Sequence, residues 1–230
     1  MKEFITQSVY FGVVISLIGY ELGLVLKKRC KSALVNPLLI GSLFVIGILL
    51  LFKVDYEDYN KGAQYITYFL TPATVSLAIP LYRQLATLKK YPVAIFFSIL
   101  AGVMSAMVSI FLLSLLFHLN HTQYVTLLPK SITTAIGMGI SEKMGGIVSL
   151  TVVAISITGI SGNIMAETVL KLFHIKEPIA KGLAIGTASH ALGTTKAMEI
   201  GEIEGAMSSL AIVVCGVLTV ITTAMFVKFI

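Results

Sequence analysis

The run Leu128-Pro129-Lys130-Ser131-Ile132-Thr133-Thr134 sets an ammonium among hydroxyls in an otherwise apolar stretch. Six residues separate Tyr124 from Lys130, a helical rise of about 9 Å. If the segment enters a membrane at Tyr124, the lysine lies below the interface. Intramembrane lysines are expensive and mark functional sites. Pro129 lacks an N–H and suits the first turn of a new half-helix. The free N–H groups and positive dipole end of such a half-helix attract anions. Lys130, Ser131, Thr133 and Thr134 are therefore candidate ligands for a small carboxylate. Snorkelling of Lys130 to the surface is the alternative.

A second run, Gly186-Thr187-Ala188-Ser189-His190-Ala191-Leu192-Gly193-Thr194-Thr195-Lys196, interleaves glycines, hydroxyls and a histidine within apolar chain. Ser189, His190, Thr194 and Thr195 are candidate lining groups. They offer donors to a carboxylate stripped of its water. His190 titrates near neutral pH and is the candidate proton carrier. A purely structural buried histidine is the competing reading. Thr71 and Thr74 form a weaker third group. There is no phosphate loop, no metal-ligand spacing and no nucleophile–base pair. His118, His121, His174 and His190 are scattered, and Cys30 and Cys215 form no framework. No catalytic set, metal or cofactor is expected.

The elements that must position these residues follow from composition. Of 230 residues, 57% are hydrophobic and 12% charged, and the mean hydropathy is +0.94. Soluble domains carry about 25% charged residues, so lipid must solvate this surface. Apolar stretches long enough to span a bilayer occur at residues 4–26, 34–52, 93–117, 147–172 and 207–227. The first reads as a span rather than a cleaved leader. The net charge of +6 resides in short loops: Lys27, Lys28, Arg29 and Lys31; then Arg83, Lys89 and Lys90; then Lys171, Lys176 and Lys181. The positive-inside rule puts these loops inside and the acidic loop 53–61 outside, flanked by a belt of Tyr56, Tyr59, Tyr65 and Tyr68. It explains the charge without nucleic acid.

Three segments look broken: 62–82 at Thr71-Pro72 and Pro80, 124–145 at Pro129, and 182–201 around Gly186 and Gly193. Broken backbone at membrane depth survives only against protein or a wet cavity. Parity of the crossings makes 124–145 enter and leave on one side. Residues 70–79 align with residues 127–136, which predicts an internal repeat of the kind transporters use. Gly12, Ser16, Gly19 and Gly23, and Ser98, Gly102, Ala106 and Ser109, are small residues at helical spacing, read as packing faces. Glu142, Glu199, Glu202 and Glu204 read as segment ends at the surface. Asn163 and Glu167 are unusually polar for their span. The expected organisation is one transmembrane domain, with amino-terminal spans over 1–60 and a broken-helix core over 61–230.

The sequence resembles the LrgB/CidB family. The resemblance is carried by Asn36-Pro37-Leu38-Leu39-Ile40, Tyr56 to Gln84 (YEDYNKGAQYITYFLTPATVSLAIPLYRQ), Leu127 to Ser149 (LLPKSITTAIGMGISEKMGGIVS) and Gly186 to Ala211 (GTASHALGTTKAMEIGEIEGAMSSLA). The family includes bacterial autolysis modulators and the carboxyl part of a plastid glycolate/glycerate translocator. The resemblance implies an all-α polytopic bundle in a bacterial cell membrane. It implies either holin/antiholin-like control of murein hydrolases and lysis, with a small LrgA/CidA-type membrane partner, or transport of small carboxylates. The residue pattern favours a secondary transporter of a monocarboxylate such as pyruvate, glycolate or lactate. The fold expected is about seven or eight membrane segments with broken helices and inverted repeats, assembled as a homodimer. Lys228 favours an inside carboxyl terminus.

Overall fold

A computed structural model describes residues 8, 10–30, 35–76 and 78–230. Residues 4–7 and 9 of the expected first span, together with Lys31 and Leu34, lie outside the described residues. Every regular element among the described residues is helical. The chain forms two compact units, Met1–Ser76 and Leu77–Ile230.

The first unit contains α1 (Phe11–Cys30), α2 (Pro37–Phe52), α3 (Tyr56–Thr67) and α4 (Leu70–Ser76). The small face of α1 packs as expected. Gly12 abuts the α3 backbone at Tyr59 and Ala63, Gly19 abuts Gly41, and Gly23 abuts Pro37. A side chain at any of these would collide with backbone, so α1 and α2 meet at close range. The Asn36-Pro37 pair is a helix start. The Asn36 side chain accepts from Leu38 N at 2.9 Å and Leu39 N at 3.3 Å, with Pro37 in the first turn.

The second unit contains α5 (Ala78–Arg83), α6 (Leu85–Lys90), α7 (Pro92–Leu116), α8 (His121–Leu127), α9 (Thr134–Lys143), α10 (Val148–Leu172), α11 (Pro178–Ile200) and α12 (Glu202–Phe226). A short 3-10 turn, Val227–Phe229, comes last. Among the described residues, three helices are long and apolar enough to cross a membrane: Pro92–Leu116, Val148–Leu172 and Glu202–Phe229, with mean hydropathies of 2.4, 1.7 and 2.5. The chain is a helical membrane protein.

Pro72 and Pro80 lie within α4 and α5, not at the breaks. Each is the third residue of its helix, where a missing N–H costs no internal bond. The interruption falls just before, at Tyr68–Phe69 for the first.

Segments 121–143 and 178–200 are both re-entrant hairpins. In the first, α8 enters, residues 128–133 unwind, and α9 returns. Thr126 on the entering arm ties it to the start of α10. Its Oγ1 accepts from Ile147 N at 2.8 Å, and its carbonyl accepts from Thr151 Oγ1 at 2.9 Å. Thr151 Oγ1 also reaches Ser141 Oγ, on the returning arm, at 2.7 Å. In the second, α11 reverses at His190, whose φ of 44° and ψ of −139° are not helical. Gly186 and Thr194, four residues to either side, both touch Ser208 of α12. The arm Pro178–Ser189 rises only about 18 Å at 1.5 Å per residue, short of a bilayer's hydrocarbon core. The glycines of this segment do not make the break. Gly182 and Gly186 let α11 lie against the α12 backbone, and Gly193 lets its own arms meet.

The hairpins enter from opposite ends. The first opens towards residues 118–123 and the second towards Lys171–Lys181. Each is followed by a full span, α10 and α12, and these run in opposite directions. Residues 121–172 and 178–226 are thus related as an inverted repeat. The expected pairing of residues 70–79 with 127–136 is a different one, and their conformations differ: 70–76 is helical, whereas 128–133 is the hairpin tip. Within the second unit the carboxyl terminus lies at the end opposite the basic loop Lys171–Lys181, contrary to the hint from Lys228. The Ile230 carbonyl meets His121 Nδ1 at 2.7 Å, and Tyr124 donates to Phe226 O at 2.9 Å. An aromatic group, Phe111, Tyr124, Phe226 and Phe229, in edge-to-face and tilted contacts, packs that end.

Candidate functional site

The tip of the first hairpin carries Lys130. Pro129 does not open a half-helix; α9 begins at Thr134, with Thr133 extended as its cap residue. Residues 128–133 form tight turns instead, closed by Lys130 N donating to Leu127 O at 3.0 Å. Leu128, Pro129 and Ile132 are buried and anchor the turn. Lys130 is half-buried, and its Nζ donates to Ser131 Oγ at 3.2 Å. Among the described residues it makes no ion pair. Desolvating an ammonium without a counter-charge is costly, so this position is ready for an anion.

Lys130 lines two cavities, one on each flank of the first arm of α11. One, of about 460 Å³, lies between α7 and α11 and is lined by Ser105, Ser109, Lys130, Ser131, Thr187 and Ala188 among others. The other, of about 340 Å³, lies between α10 and α11 and includes Lys130, Thr158, Ser161, Gly162, Ala188 and Ser189. Ala184 and Ala188 are common to both. Their small side chains are the wall between the two clefts.

The other residues expected at the site divide. Ser131 and Ser189 line the clefts with Lys130. Thr133 and Thr134 sit at the start of α9, outside both cavities. His190 is 4% exposed and faces α10, not the clefts. Its Nε2 meets Ile155 O at 3.1 Å. A carbonyl only accepts, so Nε2 carries the hydrogen. Gly159 makes room for the ring, since a Cβ there would meet Cε1 and Nε2. Thr194 is fully buried and bonds His190 O at 3.0 Å and Ser208 Oγ at 2.7 Å. Thr195 is exposed and bonds Leu192 O at 2.8 Å. Thr194 and Thr195 therefore hold the hairpin together. Thr71 is exposed in the first unit, and the Thr74 side chain lies outside the described residues.

Asn163 and Glu167 bind the second arm of α11 to α10. Asn163 Nδ2 donates to Leu192 O at 2.7 Å and Thr195 Oγ1 at 3.1 Å, while Glu167 pairs with Lys196 at 2.6 Å. Glu204 is not a surface end residue. It is 7% exposed within α12, which starts at Glu202 and not at 207, and Lys181 lies 4.0 Å away. Sequence reasoning missed the cleft hydroxyls of Ser105, Thr158 and Ser161. On α7 the small residues Ser98, Gly102, Ala106 and Ser109, expected as a packing face, all line the cleft, and a Cβ at Gly102 would meet the Thr187 methyl. The Thr187 hydroxyl is buried without a nitrogen or oxygen partner among the described residues. The Cys215 thiol lies beside it.

The profile of the LrgB-like family matches residues 16–229. Proteins named antiholin-like protein LrgB, from strains of Bacillus cereus and Bacillus anthracis, are 41% identical over 226 residues. The aligned region covers 98% of this chain and 98% of each relative. No solved structure matches. With the match running through both hairpins and all three long spans, the chain belongs to the LrgB-like family.

Proposed function

We propose that this chain is an antiholin-like protein of the bacterial cell membrane that restrains murein hydrolase activity and lysis. The supporting observation is the 41% identity, over 98% of both chains, to proteins that carry the antiholin-like name. An LrgA/CidA-type membrane protein is its partner in this reading, and the chain itself assembles as a homodimer. Removing the gene from its host should accelerate autolysis and raise murein hydrolase activity in zymograms, and restoring it should reverse both. Autolysis unchanged by removal, with or without the partner, would sink this reading.

A second reading has its own observation: the half-buried Lys130, without an ion pair among the described residues, at the meeting of two hydroxyl-lined clefts. It makes the chain a secondary transporter of small monocarboxylates. An isolated carboxylate in a low-dielectric interior costs on the order of tens of kcal/mol by Born estimates. A carrier must replace the lost water with charge and donors, and Lys130 with Ser131 and Ser189 supplies both. Inverted re-entrant elements around a midplane site are also how secondary transporters are built. The readings are compatible, since moving a metabolic acid changes the conditions for lysis. Saturable uptake of labelled pyruvate, glycolate or lactate by purified protein in sealed vesicles supports transport. Leakage of unrelated dyes without carboxylate uptake excludes it.

A further inference from the structure

A third cavity, of about 510 Å³, lies over the loop joining α10 to α11. Lys171, His174, Lys176 and Lys181 line it. One carboxylate, Glu167, lines it too, but its oxygens are engaged by Lys196 at 2.6 Å and Lys171 at 3.4 Å. Lys181 faces Glu204 at 4.0 Å. Lys176 makes no ion pair among the described residues, so its charge is the least compensated of the group. Leu170 and Ile175 line both this cavity and the cleft between α10 and α11. That cleft runs past Ser161 and Ser189 to Lys130. The three features are contiguous: a basic mouth, a mainly apolar cleft with hydroxyls at its far end, and the tip lysine.

We propose that the basic mouth collects small carboxylates on the inner side and feeds them through the α10–α11 cleft to Lys130. The proposal rests on the transport reading and adds its inner entrance. A cavity with a surplus of one sign of charge raises the local concentration of the opposite ion. Next to the mouth the cleft is apolar, at Leu170, Val169 and Met165. Its neutral donors, Ser161, Thr158 and Ser189, gather at the Lys130 end, where they receive an anion without trapping it. Ala184 and Ala188 keep the far wall low, so an anion arriving at Lys130 also faces the second cleft. The lysines satisfy the positive-inside pattern as well. Topology alone, however, does not require them to surround a cavity that leads to an intramembrane cation.

Kinetics measured from the mouth side separate the two roles. In sealed vesicles loaded for counterflow, Lys176→Gln should raise the KM for pyruvate by about threefold at low ionic strength and leave kcat unchanged. The difference should vanish at high salt, where the screening length falls to about 3 Å at 1 M. Lys176→Arg should restore the KM. A thiol probe gives a readout independent of turnover. In a Cys30→Ser background, with Cys215 buried, Ser161→Cys should react faster with an anionic thiol reagent than with a cationic one. Pyruvate should protect it, and Lys176→Gln should narrow the preference. An unchanged KM at low salt, equal reaction with both reagents, or no protection by pyruvate overturns the entrance. If Lys130→Ala abolishes uptake while those results appear, the entrance fails and the transport reading stands. If Lys130→Ala transports normally, the cleft does not deliver to Lys130 and the entrance fails while transport stands. If the unaltered protein takes up no carboxylate, both fail.

Discussion

The two hairpins share a shape and differ at the tip. The first spends six residues, 128–133, on its reversal, and the second spends one, His190. The long tip has room to hold an ammonium between two clefts while Leu128 and Ile132 stay buried. The short tip puts a non-glycine residue at φ 44°, which costs on the order of 1–3 kcal/mol. It persists because its surroundings determine it: Ile155 O receives the ring, Gly159 makes space, and Thr194 closes on the His190 carbonyl. One hairpin presents Lys130 and Ser131 to the clefts. The other supplies the wall between them and adds Ser189 to one. Their difference predicts that substitution of Lys130 alters function at little cost in stability, and that substitutions at His190 and Thr194 do the reverse.

The sharpest way to break this comparison is Lys130→Ala. Vesicle uptake of the carboxylate should fall by about a hundredfold or more, equivalent to about 2.7 kcal/mol. Stability in detergent should change little, because among the described residues Nζ makes only one, neutral, hydrogen bond. Lys130→Arg should bind but turn over slowly, since a planar fork differs from a compact ammonium. A Lys130→Ala protein that unfolds early and transports normally would reverse the roles assigned to the two tips.

The wall is tested at Gly162, where a Cβ would run into Ser189 Oγ and Cβ. Gly162→Leu should overpack the α10–α11 contact and destabilise by about 1–3 kcal/mol. Gly139→Ala is its control: nothing lies within 4 Å of a Cβ there. It should be neutral or stabilising by up to about 1 kcal/mol, as for any open helical glycine. Equal losses in the two variants, read from reversible unfolding in micelles, would remove the case for close packing. Thr194→Val is milder. It leaves Ser208 Oγ without its 2.7 Å partner, at a cost of about 1–2 kcal/mol, with uptake by the folded fraction unchanged.

Much of this is legible in the chain. Hydropathy locates the spans because lipid demands continuous apolar helix, and residues 93–117 and 147–172 fall within one residue of α7 and α10. Charge parity over the basic loops requires residues 124–145 to return to their own side, and they do. The breaks are less legible. Proline marks a plausible interruption, yet Pro72 and Pro80 sit inside first turns, and α9 starts five residues after Pro129. Glycine marks a plausible break in α11, yet the glycines serve interhelical contact and a histidine makes the turn. Local rules say where a helix can end. Which permitted place it uses depends on partners such as Ser208, Ile155 and Gly159, which are distant in sequence. The same applies to the site. Lys130, Ser131 and Ser189 stand out by type, while Thr194 and His190, equally prominent, are claimed by packing. Ser105 and Ser161 look like ordinary helix-face residues until α11 comes alongside them.

The smallest effect is the most specific test of the second tip. In an ordinary helical position glycine is worse than alanine by about 1 kcal/mol, because it loses more backbone freedom on folding. At His190 the order should invert. Both His190→Ala and His190→Gly lose the bond to Ile155 O and the buried ring, so those terms cancel in the comparison. What remains is the backbone at φ 44°, which alanine adopts at a cost and glycine adopts freely. His190→Gly should therefore be the more stable of the two by about 1 kcal/mol, measured as the difference in unfolding midpoint in one detergent. If alanine is the more stable variant, residue 190 sits in continuous helix, α11 does not reverse there, and the second hairpin is not re-entrant.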